Sequence, residues 1–387
     1  MLRSRLMLFY ASSRKKHSSI ADSYEGQSLL ITGSTGFVGK VLLEKLLYHC
    51  PKIDKVYLLL REKKNIKPHQ RIPKILDEPV MKEKPQMLDK IVPIAGDITR
   101  PDLGMKTQDQ ELLINKVSMV FHVAASVLFD DPLDKAMNIN YGGTEQVLNL
   151  CLRMKTIKSF LHVSTAYCNT DKPIIEEIVY AAPASLDKVN EMLAKALHNY
   201  ITKITFFYYN ILYNGILRII SDKQPNTYAF SKALAENLVL EGHGNIPTTI
   251  VRPTVVSASK NEPLVGWVDN WFGSTGYMAL TLLGINRVVF GNPKNILDII
   301  PVDYVANLMI VAAATNTKYR NFFSKVSRQR KVMEYFTYYT WEICPAKTRA
   351  LAASLSPADK QNFPFDPIDI DWKDYIPNYC KDIFFSI

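Results

Sequence analysis

Ser28-Leu-Leu-Ile-Thr-Gly33-Ser-Thr-Gly36-Phe-Val-Gly39 runs from an apolar segment into a T-G-x-T-G-x-x-G turn, and an apolar helical pattern follows through Val41–His49. A continuous short apolar run is the mark of a strand buried on both faces. Glycine at 33 permits a tight turn, Gly36 lets backbone approach a pyrophosphate, and Gly39 lets the helix pack closely on the sheet. The helix N-terminus then presents unpaired N–H groups to an anion. A glycine triplet alone is weak evidence. Between a strand and a helix, near the start of an α/β region, it points to a dinucleotide site.

The same alternation continues outward. Lys55–Leu60, Ile91–Ile94, Val117–Val123, Ser159–Val163 and Thr248–Val251 read as further short strands, with helical stretches over about 140–155 and Tyr228–Leu240. Such a pattern predicts a Rossmann-type, doubly wound parallel sheet with helices on both faces. No internal repeat or low-complexity linker interrupts it.

The chain has 387 residues, of which 47% are hydrophobic and 22% charged, the balance of a globular protein rather than a disordered or fibrous one. Cys50, Cys151, Cys168, Cys344 and Cys380 are scattered without a CxxC pair, so no metal site is expected and the reading is intracellular. The net charge of +10 sits in two acid-free stretches. Arg3, Arg5, Arg14, Lys15 and Lys16 fall within 1–21, and Lys318, Arg320, Lys325, Arg328, Arg330 and Lys331 within 318–331. Together these carry +11 and leave −1 for the rest, so a nucleic-acid partner is not expected. The longest apolar-looking stretch, Ile201–Ile220, is broken by Lys203, Asn210, Asn214 and Arg218 and is no bilayer span. Residues 1–23 form a basic extension, which leaves a targeting role and a plain solvated end both open.

At the end of the second strand, Leu60-Arg61-Glu62-Lys63-Lys64 stands where an NAD site offers an acid to the ribose 2′-hydroxyl. Arg61 can fork onto a 2′-phosphate, with Lys63 and Lys64 adding charge, so NADPH is favoured and Glu62 reads as a solvated carboxylate. Asp97-Ile98 after the third strand can meet the adenine. After the fourth strand, His122-Val-Ala124-Ala supplies small residues against which a cofactor can lie, with His122 itself read as a packed histidine.

Tyr228-Ala-Phe-Ser-Lys232 sets a phenol and an ammonium on one helix face. The ammonium is expected to lower the phenol's pKa so that Tyr228 acts as a general acid, with Lys232 also reaching the nicotinamide ribose. A hydroxyl should complete the group at the end of the fifth strand, where Val163-Ser164-Thr165-Ala-Tyr167 offers Thr165 first and Ser164 second.

These elements resemble the extended short-chain dehydrogenase/reductases. Longer strings, His162-Val-Ser-Thr-Ala-Tyr-Cys168, Pro225-Asn-Thr-Tyr-Ala-Phe-Ser-Lys232, Ile250-Val-Arg-Pro253, Gly266-Trp-Val-Asp-Asn270 and Ile300-Pro-Val-Asp303, narrow the resemblance to the fatty acyl-CoA reductases. That resemblance implies an NADP-binding reductase domain over 24–317 and a shortened helical C-terminal region over 318–387. It implies NADPH-dependent reduction of a fatty acyl-CoA to a primary alcohol, through Thr165, Tyr228 and Lys232. Gly33, Ser34, Thr35, Gly36, Phe37, Val38 and Gly39 would carry the pyrophosphate, Arg61 the 2′-phosphate, Asp97 and Ile98 the adenine, and Pro253 and Val255 the nicotinamide. The family also implies a peroxisomal or endoplasmic reticulum membrane; peripheral association and a homo-oligomer stay open.

Two stretches depart from the family pattern. Residues 205–218 look inserted, and 318–331 joins segments that the family keeps apart. An epimerase- or hydroxysteroid dehydrogenase-type enzyme, or an NADPH-binding remnant without activity, are the competing readings.

Overall fold

The computed structural model describes residues 19–62, 65–81, 89–203, 224–271, 273–288, 292, 294–315, 342–343, 345–375 and 377–378. The basic extension before residue 19, Lys63, Lys64, the 205–218 stretch and the 318–331 junction lie outside them.

Six parallel strands form the central sheet. They are β1 (Ser28–Thr32), β2 (Lys55–Leu60), β3 (Ile91–Ala95), β4 (Met119–His122), β5 (Ser159–Val163) and a sixth, Thr248–Val251. The order is β3-β2-β1-β4-β5 followed by Thr248–Val251. Leu30 of β1 faces Tyr57 on one side and Val120 on the other, so the direction of travel reverses between β1 and β4. Ligands of such sheets lie outside the carboxyl ends of the strands at that switch point.

All five residues of β1 are buried, as its unbroken apolar run requires. Helix α1 (Phe37–His49) and the helix Val302–Thr315 cover one face of the sheet, through Val41, Leu42, Leu46, Val305, Met309 and Ile310. Helices Thr107–Lys116, Gly143–Arg153 and Thr227–Gly242 cover the other, through Leu113, Val147, Leu150 and Val239. Helix α1 begins four residues earlier than its apolar pattern, because its first turn is the glycine loop itself. The stretch that reads as a helix from about residue 140 starts instead as Leu133–Ala136, passes through a π-helical turn at Met137–Gly142, and continues as Gly143–Arg153.

The C-terminal residues are tied back onto this body. Asp359 accepts hydrogen bonds from the Ile20 N–H at 3.0 Å and the Ser19 hydroxyl at 3.1 Å. Tyr375 donates to the Ala258 carbonyl at 2.6 Å. The buried Asp303 carboxylate accepts the backbone N–H groups of Lys260 and Asn261 at 2.9 and 3.0 Å, which gives the Ile300–Asp303 string its structural role. Among the described residues no helix is long and apolar enough to cross a membrane.

Gly33 has φ +74°, a region that favours glycine. A Cβ on Gly39 would lie 2.2 Å from the Gly33 carbonyl oxygen, so Gly39 allows the helix to sit on the turn rather than on the sheet. Gly142, by contrast, has ordinary helical dihedrals, and a Cβ there meets nothing closer than 3.7 Å. We therefore expect Gly39→Ala to destabilise the fold by roughly 1–3 kcal/mol. Gly142→Ala should leave it unchanged or more stable by up to about 1 kcal/mol. Urea unfolding of the two variants checks the opposite signs.

Candidate active site

The helix Thr227–Gly242, which carries Tyr228 and Lys232, is set in register at its start. Asn226 caps it by accepting the Ala229 N–H at 2.8 Å, and the Thr227 hydroxyl donates to the Asp131 carbonyl at 2.7 Å. Tyr228 is therefore held half-buried in the first turn, and Lys232 follows one turn on, with 1% of its surface exposed.

Thr165 and Ser164, the two hydroxyls at the end of β5, point to different partners. Thr165 hydrogen-bonds Tyr228 and also accepts the Tyr167 N–H at 3.2 Å. The Ser164 hydroxyl lies 3.9 Å from the Cys168 sulfur. The structure thus brings Thr165 to the phenol and leaves Ser164 facing away from it. Burial pushes the Tyr228 phenol up to about 12, against the pull of the Thr165 hydrogen bond. The lowering expected from Lys232 is not what governs this phenol, because the ammonium is engaged elsewhere.

The Lys232 ammonium donates to the Val163 carbonyl at 2.7 Å and lies 3.1 Å from His162 Nε2. Burial lowers its pKa to about 8, against the carboxylate of Glu236, which raises it. Glu236 is in turn forked by Arg252, with Nε at 2.7 Å and Nη2 at 2.5 Å. His162 is fully buried, and burial with the Lys232 charge holds it neutral, well below the usual histidine range. His122 packs beside it with ring centroids 5.3 Å apart. Its nitrogens sit 2.8 Å from the Thr32 hydroxyl and 3.1 Å from the Thr144 hydroxyl, the environment of a packed histidine. The Cys168 thiol, raised to about 12 by burial and by Glu236, is a buried hydrogen-bonding group rather than a nucleophile.

At the glycine turn, the first turn of α1 has no side-chain cap. The Ser34 hydroxyl is buried without a hydrogen-bond partner. Open N–H groups and an orphaned hydroxyl fit a phosphate group that would satisfy both. Ala124 backs the turn, since a Cβ on Gly33 would lie 2.6 Å from the Ala124 nitrogen. Phe37 packs against Trp267 with centroids 5.5 Å apart and the rings tilted by 36°, and Lys40 pairs with Asp269 at 2.8 Å. The Gly266–Asn270 string is thereby fastened to α1.

Arg61 is exposed just beyond β2. Arg71, which the sequence pattern does not flag, donates to the Arg61 carbonyl at 2.9 Å. Burial and the Arg61 charge lower its pKa. The Asp97 carboxylate accepts the Thr99 N–H and hydroxyl at 3.0 and 2.8 Å, which turns the backbone after β3 beside the end of β2. Ile98 is half-buried there. The Pro253 carbonyl accepts the Ala166 N–H at 3.0 Å, next to Thr165. Val255 opens a short strand, Val255–Ser257, paired with Ile299–Pro301.

Asn140 is a further residue that pattern reading passes over. Its amide clamps Ser126, accepting the N–H at 2.8 Å and donating to the carbonyl at 3.1 Å, and it donates to the Ser231 hydroxyl at 3.0 Å. It joins the loop after β4 to the helix Thr227–Gly242.

Residues 31–309 match an NAD-binding family model described as male sterility protein, and residues 298–383 match a second, Sterile, with the same description. Fatty acyl-CoA reductase 1 of Xenopus laevis is 32% identical over 448 residues, covering 94% of this chain and 85% of that protein. The matched length exceeds the 387 residues of this chain, so that relative has internal stretches that this chain lacks. Fatty acyl-CoA reductase 1 of Homo sapiens is 36% identical over 321 residues, which is 82% of this chain and 58% of the human protein. Among solved structures, the terminal reductase domain of the myxalamid biosynthetic pathway superposes with a TM-score of 0.53 at 22% identity, covering 91% of this chain and 80% of that one. UDP-glucuronic acid 4-epimerase of Bacillus cereus gives 0.54 at 15%, covering 93% and 99%. At those identities the structures share the extended reductase and epimerase fold and carry no more than that. The family models and the sequence relatives together show that this chain belongs to the fatty acyl-CoA reductase family.

Proposed function

We propose that this protein reduces a fatty acyl-CoA thioester to the primary alcohol with NADPH as reductant. The observation that carries the reading is the contact of Thr165 with Tyr228 one turn before a buried ammonium, at the strand ends beside the glycine turn. Gly33–Gly39 would hold the pyrophosphate, Arg61 and Arg71 the 2′-phosphate, and Asp97 and Ile98 the adenine. Ala124, Pro253, Val255 and Lys232 would line the nicotinamide half. A bound NADPH supplies the hydride.

The chemistry of the chain's own groups follows from their environments. At neutral pH a phenol raised to about 12 is protonated, so Tyr228 begins as the acid. It gives its proton to the thioester oxygen as hydride reaches the carbonyl carbon, while Thr165 donates to the same oxygen. The hemithioacetal then breaks its carbon–sulfur bond, CoA leaves as the thiol, and the aldehyde is reduced in the same manner. Two hydrides and two protons are consumed in all. Lys232 carries its charge at pH 7 and, through its bonds to the Val163 carbonyl and His162, fixes the helix turn that presents Tyr228. Peripheral attachment to a peroxisomal or endoplasmic reticulum membrane, and a homo-oligomer, belong to the same reading.

One finding favours a second reading, an NADPH-binding chain without reductase activity: the stretches present in the Xenopus relative and missing here. NADPH oxidation by the purified protein with acyl-CoAs of increasing length separates the two. Turnover supports the enzyme; NADPH binding without turnover supports the alternative.

Three outcomes are expected. Tyr228→Phe should lose roughly 100-fold or more in kcat while NADPH fluorescence titrations stay unchanged. Arg71→Gln should weaken NADPH binding by about 10-fold and leave NADH binding as it was, because only the 2′-phosphate is lost from the contact. The third concerns pH. The folded-state pKa of Lys232, about 8, is below the unfolded value of about 10.4, so between them the unfolded chain binds a proton that the folded chain does not. The contribution of Lys232 to stability should therefore rise with pH over that window, by at most about 1.4 kcal/mol per unit, and it is read as the pH-dependent difference between the parent and Lys232→Met in denaturant unfolding, since buried thiols such as Cys168 pull the other way in both chains.

A further inference from the structure

The loop after β4 carries a feature that the reaction above does not use. Val127 and Phe129 are large apolar side chains left 47% and 50% exposed. Their exposure is not the slack of a loose loop. Asn140 clamps both backbone groups of Ser126, and the Ser126 hydroxyl donates to Asp131. Asp131 pairs with Lys135 at 2.6 Å, and its carbonyl receives the Thr227 hydroxyl at the start of the catalytic helix. The loop is thus pinned at both ends, and the two side chains are held toward water at the cost of their hydration. Phe129 lies directly against the catalytic phenol, ring centroid to ring centroid 5.7 Å.

Any carbonyl carbon presented to Tyr228 and Thr165 has two substituents that must leave the site. One is a wholly apolar alkyl chain, and the other is the amide-bearing, phosphate-terminated arm of CoA. Asp130, exposed beside Phe129, disfavours phosphates there, Asp131 is buried and paired with Lys135, and Phe129 and Val127 offer apolar surface that an alkyl chain can cover. We propose that Val127 and Phe129 form the wall over which the first methylenes of a fatty acyl chain leave Tyr228, with the CoA arm departing on another side. The proposal rests on the fatty acyl reading and adds to it a named acyl-contact subsite.

The test compares the parent chain with Phe129→Ala, Phe129→Leu and Val127→Ala. Calorimetry with NADP+ present measures binding of CoA, octanoyl-CoA and palmitoyl-CoA. Because Phe129 is half-exposed, the unfolding midpoint should not move. Phe129→Ala should weaken both acyl-CoAs by roughly 10-fold and by the same factor, since only the first methylenes touch the wall, and should leave CoA unaffected. Phe129→Leu should keep most of the affinity, and in turnover the loss should appear in KM with kcat held. Unchanged acyl-CoA binding by Phe129→Ala overturns the subsite while the functional reading stands. An equal loss for CoA also overturns it, by assigning the wall to the thiol arm. A parent chain that binds neither acyl-CoA overturns the functional reading and the subsite with it.

Discussion

The buried charge of Lys232 organises the carboxyl ends of the central strands. Lys232 is 1% exposed, and an isolated ammonium in that position would be too costly to keep. Its protons are therefore taken up by the Val163 carbonyl at the end of β5 and by His162 within it. Its charge is answered by Glu236, which lies one turn further along the same helix. Glu236 is itself buried, and Arg252, immediately after the sixth strand, forks it. Two strand ends and one helix are in this way locked together by one chain of opposite charges. The position of Tyr228 follows from that lock, because it shares a helix face with Lys232.

Much of this was legible in the residues. All six strands of the sheet fall on the short strand-like runs read from the residues, and β1, apolar up to its last residue, is buried throughout. The glycine turn and the Tyr228/Lys232 spacing are equally local, so their neighbours in sequence are enough to identify them. What was hidden depends on contacts across the fold. Arg71 stands ten positions from Arg61, and nothing in its own helix marks it as the partner of that residue. His162 reads as one polar residue in an apolar strand until Lys232, 70 residues on, is seen to reach it. The phenol's pKa was misjudged for the same reason. Helical spacing brings the ammonium to the correct face, but burial and the direction of the lysine decide the outcome, and spacing reports neither.

The strings Gly266–Asn270 and Ile300–Asp303 show how a family pattern can be structural without being chemical. Asp303 gathers the backbone of the preceding loop, and that loop then presents Trp267 to Phe37 and Asp269 to Lys40. Neither string touches Tyr228 or Thr165 among the described contacts. They brace the first turn of α1, so their contacts serve the position of that helix.

The contact of Phe37 with Trp267 also has an optical consequence. Trp267 is 7% exposed and in contact with the first residue of α1, where an anion would meet the helix. Indole emission depends on the dipoles and charges around the ring, so Trp267 is a native chromophore wired to the turn. Its emission would register occupancy of the site with no label attached and with no substrate turned over.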